Sequence, residues 1–367
     1  MLARVLVVVA LLALAIWIVA YASGQAELRR ERFAPWPYGL GSVDDLAKRP
    51  RPKATPEGER ILKLLQTLPY PRAESWIGEQ VKKGNDAIDP APAVVEIQPA
   101  KTAEIVRLVI ASEGRIVWSD QWTVRIRVSG AVDTLAVVAL DHARAGDSAA
   151  AWDDVHAMWI LASSLAGQSF AYSRVLAQEL ERMTNAVARK LPPPAPPWVE
   201  EMTGRDPRPE AAAALQAQSA FAEGSRRRPN RVLAAALAAL FRPMIDRFSA
   251  RTIRCERAVA KAMTARRCHV DDAVNAVKLT GVLPEQIATR AARMDAEAEA
   301  TAKLLALKSD RARLGRWPPP SSAIAGSRCA GNVWQYQTDG ATMSLRMSVD
   351  PSWEPSPKYV PQLAFRY

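Results

Sequence analysis

AVDTLAVVALDHARAGDSAAAWDDVHAMWILASSL, residues 131–165, is the stretch on which the reading of the fold turns. Its apolar residues recur every three or four positions, the spacing of one face of an α-helix. Gly146 interrupts the pattern with a residue suited to the left-handed end of a helix. Asp147 or Ser148 then offers the side-chain oxygen that caps the next one. The stretch predicts two helices, about 131–145 and 148–165, with Trp152, Val155 and Trp159 on one face of the second.

Working outward, a third helix is expected over 168–190, where Tyr172, Val175, Leu176, Leu180, Met183 and Val187 keep helical spacing. The Gly-Asp turn followed by Ala150 and Ala151 looks like a tetratricopeptide-type hairpin. No recurrence at that repeat's period is present, so an array is not expected. On the N-terminal side, Thr55-Pro56 caps a short helix carrying Ile61, Leu62, Leu64, Leu65 and Leu68. A proline-bearing stretch, 69–92, separates it from a helix near 100–112. On the C-terminal side, Leu191 to Pro197 reads as a stiff linker. Helices are expected beyond it at about 209–222, 243–264 and 284–314. The alanine- and leucine-rich residues 232–241 are too few to span a bilayer and read as a buried core helix. After Gly315 the period changes from 3.6 to 2. Trp334 and Tyr336 alternate with glutamines, Asp339-Gly340 makes a turn, and Met343, Leu345, Met347 and Val349 alternate with polar residues. This predicts a β-hairpin, with Leu363, Phe365 and Tyr367 as a third strand.

At the start of the chain stands VLVVVALLALAIWIVAYA, residues 5–22, without charge or proline. As a helix it is about 27 Å long, close to the hydrocarbon thickness of a bilayer. Trp17 and Tyr21 lie where aromatic rings favour the interface. The run reads as an uncleaved anchor. The competing reading is a secretory signal cut after Ala22, with Ala20-Tyr21-Ala22 as the cleavage site. Charge opposes export, because Arg29, Arg30 and Arg32 follow the run and only Arg4 precedes it.

The 367 residues carry a net charge of +11 and are 49% hydrophobic, so the chain is neither disordered nor core-poor. For an anchored protein the nearest anionic partner is lipid. Arg226, Arg227 and Arg228, with Arg231, form a candidate contact with it. Nucleic acid is not expected, since no aromatic platforms alternate with these arginines. The three cysteines, Cys255, Cys268 and Cys329, form no CxxC pair. In an oxidising compartment they give one bridge and one free thiol, with all three pairings open.

Several of these features occur together: the anchor, Gly146-Asp147, the long helix through Leu307 to Gly315-Arg316-Trp317-Pro318, Trp334-Gln335-Tyr336, and Asp339-Gly340. The plan resembles that of uncharacterised bacterial membrane-anchored helical proteins that end in a long helix, a G-[RK]-[WY]-P turn and a short β-meander. The tail is similar to the helix-to-sheet junction of type II secretion pseudopilins, whose long helix begins in the membrane. Here it begins near Pro284. The resemblance implies export and a fold class, and no activity.

Catalytic signatures are few. No HExxH, GxSxG, Walker or dinucleotide-binding motif is present. His142 and His156, with Asp141, Asp153 and Asp154, sit on the two hairpin helices, where antiparallel packing is one way to gather them round a metal. Ordinary helix-surface histidines are the expected reading. Cys268-His269 reads as a structural or free cysteine beside a histidine. Glu74-Ser75-Trp76 echoes the catalytic glutamate of lytic transglycosylases, without that family's supporting motifs. Trp152 and Trp159 are expected in the core, and Trp334 and Tyr336 against the long helix.

The sequence therefore predicts a mainly α protein. Its expected parts are a single N-terminal transmembrane helix (1–22), a stalk (23–55), a helical hairpin or bundle body (56–190), a proline-rich linker (191–208), a second helical part (209–315) and a small C-terminal antiparallel β-sheet (316–367). No catalytic, cofactor or metal residue is assigned, and the balance is against an enzyme. The expected role is a single-pass, membrane-anchored scaffold or protein-interaction module of the cell envelope. Its bulk would be periplasmic or otherwise extracytoplasmic, and its partners the bilayer and another envelope protein. The alternative is an exported peptidoglycan-cleaving enzyme.

Overall fold

The Gly146 turn sets the pattern for the body. Gly146 takes a φ of +84°, and the Asp147 amide donates to the carbonyl of His142 at 2.9 Å, closing helix α6 (Trp122–Ala145). The Asp147 carboxylate accepts from the Ala150 amide at 3.1 Å and so caps α7 (Ser148–Ala166). Asp147, rather than Ser148, is the capping side chain. Helix α6 begins nine residues before the expected start, because Val124, Val128, Val132 and Leu135 continue the buried stripe through Ser129-Gly130. A glycine weakens a helix by roughly 1 kcal/mol, too little to end one whose face is in the core.

A computed structural model describes residues 2–49, 53–69, 72–92, 97–119, 122–166, 168, 171–226, 239–265, 282–329, 331–348 and 363–367. Besides α6 and α7, these form α1 (Leu2–Phe33), α2 (Val43–Lys48), α3 (Pro56–Leu65), α4 (Glu74–Lys82), α5 (Pro99–Ala111), α8 (Ala171–Ala188), α9 (Trp198–Gly204) and α10 (Arg208–Arg226). They continue with α11 (Arg242–Ala265), α12 (Val282–Leu314), α13 (Ser322–Ala325) and the strands β1 (Trp334–Thr338), β2 (Met343–Met347) and β3 (Ala364–Arg366). The protein is mainly α with a small C-terminal antiparallel sheet. It divides into two units: Met1–Pro50, Ala211–Ala265 and Asp271–Ala288 form one, and Arg51–Glu210, Arg266–Val270 and Thr289–Tyr367 the other.

In the first unit the apolar run lies on α1. Among the described residues, α1 is the helix long and apolar enough to cross a membrane. Residues 23–33 continue that helix where a stalk was expected. Leu28 and Glu31 are buried, and the Glu31 carboxylate pairs with Arg254, 3.0 Å away, and with Arg257, both on α11. The prolines at 35 and 37 bend the chain into a turn closed by Trp36 against Gly41. Ser42 and Asp45 then exchange hydrogen bonds in a capping box that starts α2. Leu28, Trp36 and Val43 of this segment are buried, so it packs where an exposed stalk was expected. Of the expected core helix 232–241, residues 232–238 lie outside the described residues, and Leu240 and Phe241 at its end are exposed.

The second unit holds a core built on both faces of α7, which lies between α6 and α8. Thr55 caps α3 as expected, accepting from the Gly58 amide at 3.2 Å. Gly58 is there because a Cβ would stand 2.4 Å from the Val117 carbonyl oxygen. Helix α4 was not anticipated. It is short, lacks a side-chain cap and sits among prolines, but it buries Trp76, Ile77 and Val81. The proline stretch 191–208 is not an open linker. Leu191 is fully buried, the Trp152 indole donates to the Pro192 carbonyl at 3.1 Å, and α9 forms within it.

Helix α12 carries Met294, Thr301 and Leu305 on its buried face and joins α8 through charged groups. The Glu297 carboxylate accepts from Arg182 at 2.9 and 3.0 Å and from Arg293 at 2.8 Å. The Lys308 ammonium reaches the carbonyls of Arg189 at 2.6 Å and Leu191 at 3.3 Å, capping the C-terminal end of α8. The sheet has the order β1-β2-β3, with Tyr336 opposite Leu345 and Leu345 opposite Phe365. Trp334, Tyr336, Met343, Leu345, Met347 and Phe365 all face Ala296, Ala300, Leu304 and Leu307 of α12. Val349 lies outside the described residues.

Candidate binding groove

Two clefts open side by side on the second unit. One, of about 1160 Å³, has a floor of Ile110, Trp159 and Ile160 and polar edges at Glu113, Ser163, Glu201 and Arg205. The other, of about 760 Å³, lies among Pro99, Val106, Val138, His142, Asp153 and Asp154. Ile110 and Ala111 of α5 line both, so the two clefts adjoin, and α7 runs past both. From Ala150 to Ser164 that helix is about 21 Å long. An extended segment of roughly six residues fits this length.

An aromatic stack occupies one end. The His156 ring lies 4.4 Å from Trp198 and nearly parallel to it, at 8°. Trp159 stacks beside them, 5.9 Å from Trp198 at 13°. Trp152 meets Trp198 edge-on at 6.0 Å and belongs to the core. Burial pushes the His156 imidazole below its usual pKa, against the pull of Asp153 and Glu201. The His156 ring presents a flat face beside Trp198 and Trp159 at the cleft. Trp159 was expected in the core. It is half-buried in the groove instead, because α9 covers only part of its ring.

At the other end His142 Nδ1 meets the Asp154 carboxylate at 2.8 Å. Burial raises the Asp154 carboxyl to about 6, with His142 opposing the shift. His142 and His156 point into different clefts. Among the described residues no group of three or more His, Cys, Asp and Glu side chains is placed to hold a metal ion. The antiparallel packing does bring α6 and α7 together, but helical phase sends the two imidazoles to opposite ends of the groove. Asp141 is drawn to Arg144 at 2.6 Å.

Beneath the aromatic end, Arg205 donates to the Ser163 hydroxyl at 2.7 Å and to the Glu181 carboxylate at 2.9 Å, and it also pairs with Glu210. Burial pushes the Glu181 carboxyl up to about 7, with Arg205 and Ser163 pulling down and Glu210 pushing further up. The folded value lies above the unfolded one. Between the ordinary glutamate value of 4.5 and about 7 the folded chain therefore holds a proton that the unfolded chain releases, and stability falls as pH rises through that window. At about 1.4 kcal/mol per pH unit the effect is at most roughly 3 kcal/mol. Glu181→Gln removes the titration. Thermal melts should show the variant gaining on the natural chain between about pH 5 and pH 8. A difference that does not change with pH would show that Glu181 is ionised throughout.

Trp198, Glu201, Arg205 and Glu181 were not anticipated as site residues, since the first three were assigned to a linker. The signal was present in Pro197-Trp198-Val199-Glu200-Glu201, a proline at a helix start with acids in the first turn. Glu74 opens α4 and is not among the residues lining either cleft. Cys255 carries a free thiol and Cys329 is disulfide-bonded, as expected of one bridge and one thiol. Cys268-His269 and the side chains of Arg226, Arg227, Arg228 and Arg231 lie outside the described residues. No protein-family model, curated protein or solved structure matches this chain.

Proposed function

We propose that the chain is a membrane-anchored interaction module of the cell envelope, and that it receives a segment of a partner protein in the groove along α7. The observation that carries this reading is that the two clefts adjoin along α7, with Ile110 and Ala111 lining both. A groove of this length has an apolar floor, the half-buried anchors Trp159 and Trp198, and charge at its rim. That is the composition expected of a peptide-binding surface, in which a few aromatic residues carry most of the energy. The bonded state of Cys329 supports an oxidising compartment for the body, since disulfides persist outside the cytosol. α1 supplies the attachment.

A photo-crosslinking residue placed at Ile110, in the full chain in its own membranes, tests the reading. It should yield one discrete adduct, lost with Trp198→Ala and absent when the probe is at exposed Lys82. Adducts that are the same from both positions, or none from Ile110, would overturn it. A reporter fused at the C-terminus should be active only outside the cytoplasm.

A further inference from the structure

Helices α1 and α11 run parallel. The Trp17 indole donates to the Leu240 carbonyl at 2.8 Å, Arg247 reaches the Ser23 hydroxyl at 3.4 Å, and Arg254 meets Glu31 at 3.0 Å. Contact positions therefore rise together along both helices. Gly24 allows the close approach, since a Cβ there would lie 3.0 Å from the Pro243 carbonyl oxygen. Residues 240–248 thus stand level with 17–25 of α1, where its apolar run ends. Trp17 and Tyr21 stack there at 5.3 Å, as interfacial rings.

At this level Leu240 and Phe241, just before α11, and Met244 and Phe248, on it, are large apolar residues with exposed surface. Leu240 is 60% exposed, Phe241 50%, Met244 68% and Phe248 54%. Their spacing places Met244 and Phe248 on one stripe of α11, and Leu240 and Phe241 stand immediately before its start. Exposed Arg247 and Arg251 follow on the side away from the run. Large apolar side chains in adjacent exposed positions mark a contact surface. Their height beside α1 selects the occupant, because they stand level with the end of the apolar run on the helix long enough to enter a bilayer.

We propose that Leu240, Phe241, Met244 and Phe248 insert into the headgroup–acyl boundary of a lipid bilayer beside α1, making the start of α11 a second membrane contact. This rests on the reading of α1 as a membrane helix. Long arginine side chains then reach up to the phosphates while the apolar stripe sits a few ångströms deeper. Two attached points hold the first unit at a fixed orientation to the surface, which a single spanning helix does not.

The test uses the full chain with Cys255→Ser, reconstituted in vesicles of mixed phosphatidylglycerol and phosphatidylethanolamine. An environment-sensitive fluorophore is attached at Met244→Cys, Phe248→Cys, Leu12→Cys or Thr264→Cys. Lipids carrying a nitroxide near the headgroup should quench most of the signal at positions 244 and 248 and leave position 264 bright. Position 12 should respond to a nitroxide deep in the acyl chain. Quenching at 12 with none at 244 and 248 overturns the second contact and leaves α1 in the membrane. No quenching at 12 overturns both. Probes at 244 and 248 shielded from lipid nitroxide and from aqueous iodide alike would show protein covering the stripe, and would also overturn the proposal.

Discussion

Replacing Glu297 with alanine should lower the melting temperature of the full chain in detergent by about 6–20 °C. The Glu297 carboxylate is fully buried between α8 and α12, bonded to Arg182 through both oxygens and to Arg293 through one. The main-chain carbonyl of Glu297 and the Thr301 hydroxyl accept from Arg189 at 3.2 and 2.9 Å. Burial alone would raise the carboxyl, but Arg182, Arg293 and Arg189 together hold it below the usual range, so it is an anion. Alanine leaves three guanidinium groups in the interior without it. Removing one partner of a buried charge network costs about 3–5 kcal/mol. At roughly 2–4 °C per kcal/mol for a unit of this size, the range above follows. Glu297→Gln keeps an acceptor but brings an amide N–H towards an arginine, and should fall between. Melting followed by circular dichroism decides the matter. An alanine variant within 2 °C of the natural chain would mean that water or another carboxylate replaces Glu297.

Trp118→Ala should cost a similar amount, about 3–5 kcal/mol, through a different cause. Trp118 lies in the connection between α5 and α6, fully buried, and its indole donates to the Ser164 hydroxyl at 2.7 Å. Ser164 also lines the groove and donates to the Leu161 carbonyl at 2.6 Å. Truncation opens a cavity beneath the groove floor and removes one partner of a hydroxyl that keeps another. Trp118→Phe retains most of the volume and isolates the hydrogen bond, at about 1 kcal/mol. Chemical denaturation of both variants separates the two contributions. Equal losses from alanine and phenylalanine would show that the hydrogen bond, not the packing, dominates.

The two substitutions differ in what the sequence could reveal. A tryptophan between two helices is a candidate for burial on composition alone, although its partner forty-six residues away is not. Glu297 stands on a helix rich in acids and arginines, where a solvated charged face is the ordinary reading. Its burial depends on α8 lying across it, and nothing local reports that. The same holds for the groove. Helical spacing located α5, α7 and the C-terminal end of α6 to within a few residues, whereas α6 starts nine residues before the expected position. The role of Trp198 and Arg205 was hidden because proline composition stood for structure in 191–208.

Local chemistry therefore determined the elements: the apolar run 5–22, the Gly146-Asp147 turn with its cap, the Thr55-Pro56 start, and the change of period after Gly315. Each depends on atoms within a few residues, so each is written in the chain. Tertiary structure alone decided where the charged and aromatic side chains went. It joined Glu31 to Arg254, put Glu297 among arginines, parted His142 from His156 and stacked His156 on Trp198. These contacts join residues far apart in the chain. Their energies arise from shared burial, which exists only after the helices have packed.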